Sequence, residues 1–184
     1  QMKSVNFEKW QGLGNDFIIL STIDFPKEKF SEWSKVLCDR RFGIGGDGLV
    51  WIGPSDKADV RMIICNSDGS TASMCGNGLR CAVAYAHTTG KISKSEMTIE
   101  TDAGIKMGKV HLEGDKITGV TINMGKPIWE PDLIPFASDK VKDLTVEAAG
   151  QTFELTTMNT GVPHTVAFMD SLEWDWHKAG EELM

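Results

Sequence analysis

Apolar residues recur along the chain in short runs, which polar or glycine-rich segments separate. Apolar and β-branched runs of this kind between turn residues are typical of strands. They predict a first strand carrying Val5, Phe7 and Trp10 and further strands at Phe17–Leu20, Leu49–Ile52, Asp59–Cys65, Met97–Thr101, Ile105–His111, Ile117–Asn123, Leu144–Ala148, Phe153–Thr157 and Thr165–Phe168. The glycine, asparagine and aspartate residues of Gly12–Asp16 and Asn66–Gly69 predict turns.

Three segments have the apolar spacing of a helix. The first has an apolar face that includes Trp33, and we expect Ser31 to cap it and Arg41 to lie near its end. The second segment is Met74–Gly90. Its apolar residues recur at helical spacing and also cover the other sides of the helix, so we expect this helix to be buried nearly all round. The third is Ser171–Met184. Together these elements predict the α+β class, with a mostly antiparallel sheet wrapped around the buried second helix.

The composition is that of an ordinary globular protein, since 41% of the 184 residues are hydrophobic and 24% are charged. This length suits one domain or two small ones, and the proline-containing stretch Lys126–Pro135 is the candidate junction. The net charge is −7 and no basic stripe is present, which argues against nucleic-acid or anionic-membrane binding. Because the sequence has no membrane-length apolar run and no export signal, we expect a cytoplasmic protein.

The four cysteines are Cys38, Cys65, Cys75 and Cys81. They form no CxxC pair, and the four histidines have no metal-ligand spacing, so we expect reduced thiols and no structural zinc site. The glycine-rich Gly43–Gly48 follows a predicted helix and precedes a strand, the reverse of the order in a dinucleotide-binding turn. We therefore expect it to form a tight helix-to-strand connection.

Cys75 is the strongest candidate for a catalytic group. It lies at the start of the second predicted helix beside Gly76 and Gly78, which leave backbone N–H groups open to a ligand. The unpartnered N–H groups and the dipole of a helix start favour an anion, either a bound carboxylate or a thiolate. Core packing is the alternative role for a cysteine, and it is the role we expect for the other three.

Several other polar residues are candidates for contacts with a ligand. The amides of Asn15, Asn66 and Asn77 can both donate to and accept from a ligand, although asparagine is also an ordinary turn residue. His164 is either an acid or base, or a structural loop residue. On the residues alone, both interpretations stay open.

Five motifs occur in order along the chain: GLGNDF (Gly12–Phe17), DRRFGIGGDG (Asp39–Gly48), NSDGSTASMCGNGLRC (Asn66–Cys81), NMGKP (Asn123–Pro127) and NTGVPH (Asn159–His164). In order and spacing they resemble the diaminopimelate epimerase family, and the MCGNG run is the most specific. Proline racemase-like enzymes also place a thiol at a helix start, but GLGNDF and NSDGS together with CGNG favour the epimerase family.

The resemblance implies a diaminopimelate epimerase-like fold of two pseudo-symmetric domains with the active site between them. Residues 1–125 would form the N-terminal domain, and residues 126–184 would begin an incomplete second domain. The implied activity is that of an isomerase that converts LL-2,6-diaminoheptanedioate to the meso form in lysine and cell-wall precursor biosynthesis, with no cofactor and no metal. One thiolate removes the α-proton, and a second thiol from the other domain delivers a proton to the opposite face.

The resemblance also implies roles for individual residues. Cys75 matches the catalytic base of the first domain, and His164 matches a histidine that modulates the ionisation of the thiols. The substrate-binding positions match Asn15, Asn66, Gly76 and Asn77. The implied partner is a small-molecule amino acid, with neither nucleic acid nor membrane, and a homodimer is left open.

Three departures from the family pattern modify these expectations. Gly48 stands where some members have glutamine, and Val162 where many have asparagine, with Asn159 as a nearby replacement. No second glycine-rich cysteine segment follows Cys81, so we expect a chain that lacks part of the second domain and has no epimerase turnover alone. The alternatives are a proline racemase-like enzyme acting on another substrate and a short non-catalytic binding module.

Overall fold

The chain divides into two units, Gln1–Met124 and Gly125–Met184, in a computed structural model that describes residues 5–21, 27–135 and 138–183. The first unit contains a seven-stranded sheet in the order β1-β2-β3-β4-β5-β6-β7. These strands are β1 Phe7–Gly12, β2 Asn15–Leu20, β3 Gly48–Gly53, β4 Val60–Asn66, β5 Glu96–Thr101, β6 Gly104–Glu113 and β7 Lys116–Asn123. All the strands that the sequence predicts for this unit are therefore present.

The sheet is mostly antiparallel, as predicted, but two pairs of neighbouring strands, β2 with β3 and β4 with β5, run parallel. Strands β1 and β2 form a hairpin in which Gly12 pairs with Asn15. Leu13 and Gly14 close the hairpin with φ angles of 57° and 85°, the positive values that a two-residue turn requires. The turn is thus shorter than predicted, and Asn15 belongs to β2.

Helix α2 (Gly76–Thr88) lies in the main core of the first unit. Its buried residues are Gly78, Leu79, Cys81, Ala82, Val83, Ala84, Tyr85 and Ala86. All seven strands contribute apolar side chains to this core, from Trp10 on β1 to Ile122 on β7. The sheet wraps around the helix as predicted. Because full burial of one aliphatic side chain contributes about 1.5–3 kcal/mol, this shared core fixes the position of α2.

Helix α1 (Phe30–Leu37) covers the opposite face of the central strands. Its buried Phe30 belongs to a second cluster with Ile18 of β2 and Leu49 of β3. Strands β2 and β3 are therefore covered on both faces, which explains why their sequences are continuous apolar runs rather than alternating ones.

The predicted cap of α1 is wrong. The helix begins at Phe30, one residue before Ser31, and follows a 3-10 turn at Lys27–Lys29. The Ser31 hydroxyl donates to the backbone oxygen of Gly69 at 2.6 Å instead of bonding to a helical N–H group. Ser31 therefore ties α1 to the turn that follows β4.

The predicted end of α1 is also wrong, and the connection to β3 is longer than expected. The helix stops at Leu37, because the Asp39 carboxylate accepts from the backbone N–H groups of Arg41 and Phe42 at 2.7 Å and holds them in a turn. Residues 38–47 form the connection. Backbone N–H groups of its glycine-rich part donate to carbonyl oxygens at the end of α1, which keeps the loop against the helix.

The second unit is a three-stranded antiparallel sheet in the order β10-β9-β8, together with one α-helix and a 3-10 turn at Pro131–Leu133. Its elements are β8 Leu144–Ala148, β9 Gln151–Asn159, β10 Pro163–Ala167 and α3 Trp176–Leu183. The three predicted strands are present, although β10 ends at Ala167 rather than at Phe168. A small core that includes Phe153, Leu155 and Ala179 lies between sheet and helix.

The predicted helix Ser171–Met184 is too long at its start, and Met184 lies outside the described residues. The Ser171 hydroxyl accepts from the Glu173 N–H at 3.1 Å, and the backbone oxygen of Ser171 accepts from the Trp174 indole N–H at 2.8 Å. These bonds hold the segment in a turn. Helix α3 begins only after Asp175, whose carboxylate accepts from the Lys178 N–H at 3.2 Å and caps it.

Gly108 on β6 allows the strand to lie close to α2, and this contact can be tested. A Cβ atom at this position would lie 2.5 Å from Cγ2 of the buried Val83. We predict that Gly108→Ala lowers the free energy of unfolding by about 1–3 kcal/mol, measured by urea unfolding, because strand and helix must move apart. Gly119→Ala on β7 is the control, since a Cβ there has its nearest atom, Cδ2 of His111, at 3.9 Å. Equal losses in the two variants would contradict this interpretation.

Candidate active site at the start of the buried helix

Cys75 is the N-cap residue of α2, as the sequence predicts for the head of a buried helix. Its backbone is extended, with φ of −146°, and the Gly78 N–H group donates to its sulfur at 3.4 Å. The side chain is half-buried, whereas the other three cysteines are buried. The thiol thus replaces the hydroxyl or carboxylate that usually caps a helix, and it lies at the positive end of the helix dipole.

Asn15 provides the second polar contact to this thiol. Its Oδ1 lies 3.9 Å from Cys75 Sγ and also accepts from Asn77 Nδ2 at 3.2 Å. Its Nδ2 donates to Asp47 Oδ2 at 2.8 Å. The sulfur therefore has a carbonyl acceptor on one side and a backbone N–H donor on the other.

A network of charged side chains lies next to Asn15. Asp16 pairs with Lys9 at 2.7 Å and with Arg40 at 2.7 Å, and Arg40 also reaches Asp47 at 2.8 Å. Hydrogen bonds from Arg40 and Lys9 hold the pKa of Asp16 well below its ordinary value. Its two carboxylate partners raise the pKa of Arg40. This network ties β1, β2 and the loop before β3 together next to Asn15.

The ends of three strands place Asn66 at the same edge of the sheet as Asn15. Gly48 at the start of β3 pairs with Phe17 of β2 and with Asn66 of β4. The Asn66 amide donates to Ser70 Oγ at 2.9 Å, and its side chain is exposed. The structure thus places the predicted substrate residue Asn66 at the same end of the sheet as Asn15, although its amide bonds to Ser70 rather than to Cys75.

Gly48 is required by the packing of the strands. A Cβ atom at this position would lie 2.8 Å from the backbone oxygen of Cys65 on β4. Glycine at this position, where some family members have glutamine, therefore allows β3 and β4 to lie close together. It provides no side chain that could contact a ligand.

Gly76 and Asn77 form the first turn of α2. A Cβ atom on Gly76 would contact only the Met124 side chain, at 3.8 Å, so space lies beside this residue. Arg80 donates to Asn77 Oδ1, which leaves Nδ2 of the same amide to face Asn15. The side chains of Cys75, Asn15 and Asn77 thus form one hydrogen-bonded group.

His164 lies on β10 in the second unit. Its Nδ1 is 2.8 Å from the backbone oxygen of Val162, and its side chain is exposed. Asn159, the nearby replacement for the missing amide, accepts from the Gly161 N–H at 2.8 Å and donates weakly to Leu133 O at 3.5 Å. These contacts belong to the second unit alone.

The other cysteines have the properties of core residues. Burial raises the pKa of the Cys81 thiol to about 11 and also raises the pKa of Cys38 and of Cys65. All three belong to the hydrophobic clusters of the first unit. Their predicted role in packing agrees with this environment.

Within residues 5–21, 27–135 and 138–183, no group of three or more His, Cys, Asp and Glu side chains is placed to hold a metal ion. Nor, in the same part of the chain, is any helix long and apolar enough to cross a membrane.

Solved structures with the same fold include a probable proline racemase and a phenazine biosynthesis protein of the PhzF family. A probable proline racemase from Agrobacterium radiobacter K84, solved with bound carbonate, matches with a TM-score of 0.68 over 89% of this chain and 52% of that chain. The two sequences are 14% identical, so the likeness concerns the fold alone.

The sequence comparison is more specific. Residues 7–130 match the family profile described as diaminopimelate epimerase, and the chain belongs to this family. The diaminopimelate epimerase of Caldanaerobacter subterraneus subsp. tengcongensis is 45% identical over 176 residues, which cover 95% of this chain and 64% of that protein. The diaminopimelate epimerase of Desulfitobacterium hafniense is 42% identical over 181 residues, with the same two coverages of 95% and 64%. The chain thus spans less than two thirds of the length of these relatives.

Four charged residues that support Asn15 were not predicted from the sequence, namely Lys9, Asp16, Arg40 and Asp47. The available signal was the set of charged residues around the glycine-rich loop in DRRFGIGGDG. The partners of those charges, however, depend on the parallel pairing of β2 with β3, which local periodicity does not reveal.

The difference in exposure among the cysteines predicts selective alkylation. At neutral pH, we expect iodoacetamide to modify Cys75 at least about tenfold faster than the buried Cys38, Cys65 and Cys81, as followed by peptide mass spectrometry. In denaturant all four should react at similar rates. Modification of Cys81 in the folded protein as fast as that of Cys75 would contradict the assignment.

The depressed pKa of Asp16 predicts a pH-dependent contribution to stability. At pH values between the ordinary pKa of Asp16, 3.8, and its lower pKa in the folded protein, the unfolded chain binds the proton more tightly than the folded protein does. The stabilisation by Asp16 is therefore complete above about pH 4 and is lost as the pH falls further. We expect Asp16→Asn to lower the urea midpoint at pH 7, and the difference from the parent to shrink in acid. The exposed Asp56→Asn is the control, and a difference for Asp16→Asn that stays constant down to pH 3 would contradict this account.

Proposed function

We propose that the first unit is the N-terminal domain of a cofactor-independent amino-acid epimerase that interconverts LL- and meso-2,6-diaminoheptanedioate. One observation carries the proposal: a half-buried thiol caps the buried helix of a chain that belongs to the diaminopimelate epimerase family. Relatives named diaminopimelate epimerase support this substrate. The reaction belongs to lysine and cell-wall precursor biosynthesis in the cytoplasm.

In this proposal Cys75 exchanges the α-proton on one face of the substrate. As a thiolate it removes the proton, and as a thiol it returns one in the reverse direction. The surroundings of the sulfur suit both forms, because the Gly78 N–H group stabilises the thiolate and the Asn15 carbonyl accepts a hydrogen bond from the thiol. No other described thiol of the first unit has this exposure together with polar neighbours.

The start of α2 can stabilise the carbanion that forms when the α-proton leaves. Backbone N–H groups in the first turn of a helix have no acceptor within that helix, and the dipole adds positive potential. In our proposal those of Gly76 and Asn77 bind the α-carboxylate, onto which negative charge is delocalised in the transition state. The space beside Gly76 supports the approach of a ligand to this backbone.

The asparagine amides are proposed to hold the rest of the substrate. Asn15 and Asn77 form a hydrogen-bonded group with the thiol, and Asn66 lies at the same end of the sheet as Asn15. Amides can donate to a carboxylate and accept from an ammonium group, the two polar groups at each end of diaminoheptanedioate.

The second unit is proposed to begin the second, similar domain of the family. There His164 would modulate the ionisation of the thiols. The partner acid would be a second cysteine, from the part of the family's length that these 184 residues do not match. The four cysteines of this sequence leave Cys75 without such a partner.

Exchange of the α-proton tests the proposed activity. In deuterated water, the protein expressed from its complete gene should incorporate deuterium into 2,6-diaminoheptanedioate, as detected by mass spectrometry. We expect Cys75→Ala to reduce the rate at least about a hundredfold, because a positioned acid or base is lost. Cys81→Ala is the control, since it should alter stability and leave the exchange chemistry largely intact.

Two results would overturn the proposal. Deuterium incorporation into proline but not into diaminoheptanedioate would assign the site to another racemase reaction. Equal loss of exchange in well-folded Cys75→Ala and Cys81→Ala would remove the special role of Cys75.

A further inference from the structure

The hydrogen bonds beside Cys75 form a chain whose direction is set from both ends. At one end Arg40, which can only donate, reaches Asp47 Oδ1 at 2.8 Å. Asp47 as a carboxylate can only accept, so Asn15 must turn its Nδ2 toward it, at 2.8 Å. This bond leaves the carbonyl oxygen of the Asn15 amide for the opposite side, where the thiol lies.

The other end of the chain imposes the same direction. Arg80 can only donate, and it bonds to Oδ1 of Asn77. The Asn77 amide therefore turns its Nδ2 toward Asn15 Oδ1, at 3.2 Å. Two independent constraints thus fix the Asn15 carbonyl oxygen at 3.9 Å from Cys75 Sγ.

We propose that Asp47 is a positioning residue that acts through Asn15 to stabilise the protonated form of Cys75. The inference rests on the proposed function, in which the thiol and the thiolate of Cys75 both take part. With the amide locked, the thiol donates to Asn15, and the Gly78 N–H group supports the thiolate. If Asp47 is removed, the Asn15 amide keeps only the bond from Asn77, and a rotated amide whose N–H group points at the sulfur becomes accessible, which favours the thiolate.

A direct electrostatic effect of Asp47 on the sulfur is the competing explanation. Charged groups on the elements around Cys75 and Asn15 include Glu8 and Lys9 on β1, Asp16 on β2, Arg40 and Asp47 in the loop before β3, Arg80 on α2 and Lys106 on β6, which bonds to Met124 O. Removal of a negative charge from this set would also favour the thiolate. The experiment must therefore separate action through Asn15 from action through charge.

The pH profile of Cys75 alkylation by iodoacetamide makes this separation in a double-mutant cycle. We expect Asp47→Ala and Asn15→Ala each to lower the pH midpoint of alkylation by about half a unit or more. In the Asn15→Ala background, Asp47→Ala should cause no further shift, because its intermediary is gone. The plateau rate at high pH reports accessibility and should stay within about twofold of the parent in every variant.

Two further variants keep the test decisive. Asp47→Asn retains an oxygen that can accept from Asn15, so its shift should be smaller than that of Asp47→Ala, whereas equal shifts would mean that charge alone acts. Asp39→Ala loosens the same loop through its bonds to Arg41 and Phe42, and it should leave the midpoint unchanged.

The proposal would be overturned by additive shifts in the double variant, by an unchanged midpoint in Asp47→Ala, or by a full shift in Asp39→Ala. Alkylation requires no turnover, so this outcome is independent of the deuterium-exchange test. A lack of exchange would remove the proposed function, while the alkylation profiles would still report whether Asp47 controls Cys75 through Asn15.

Discussion

The enclosure of α2 by the sheet is the constraint on which the rest of the first unit depends. All seven strands contribute apolar side chains to the core around the helix, and Gly108 allows β6 to lie against Val83 without a side chain between them. A helix held on so many sides cannot shift along its axis without loss of core contacts. Its N-terminus is therefore fixed in space, and Cys75 is fixed with it.

Polar side chains at the strand ends orient the thiol, which the apolar core does not do. The hairpin of β1 and β2 brings Asn15 to the thiol, and the loop before β3 brings Asp47 to Asn15. Ion pairs of Lys9 and Arg40 with Asp16 join these segments. Such partly exposed pairs contribute modestly to stability, so we assign their importance to the orientation of the amide and thiol rather than to the fold.

Local sequence signals predicted the parts of this arrangement that depend on periodicity. The apolar spacing around Leu79 predicted the buried helix, and the glycines beside Cys75 predicted its start, because both features act within one or two turns of the chain. The contacts of Ser31 with Gly69 and of Asp47 with Asn15 join residues that are distant in sequence. They follow from strand pairing, and no local pattern encodes them. The turn at Ser171 was missed because its side-chain bonds compete with a helix that the apolar pattern alone favours.

The central claim is that Cys75 lies where the α-carbon of a diaminodicarboxylic acid binds. Protection of this thiol from iodoacetamide by ligand, measured on the protein from its complete gene, tests the claim most directly. The account predicts that LL-2,6-diaminoheptanedioate slows the alkylation of Cys75 with a saturable dependence on concentration, while lysine, which lacks the second carboxylate, protects far less. Unchanged alkylation of Cys75 at all concentrations of diaminoheptanedioate would contradict it.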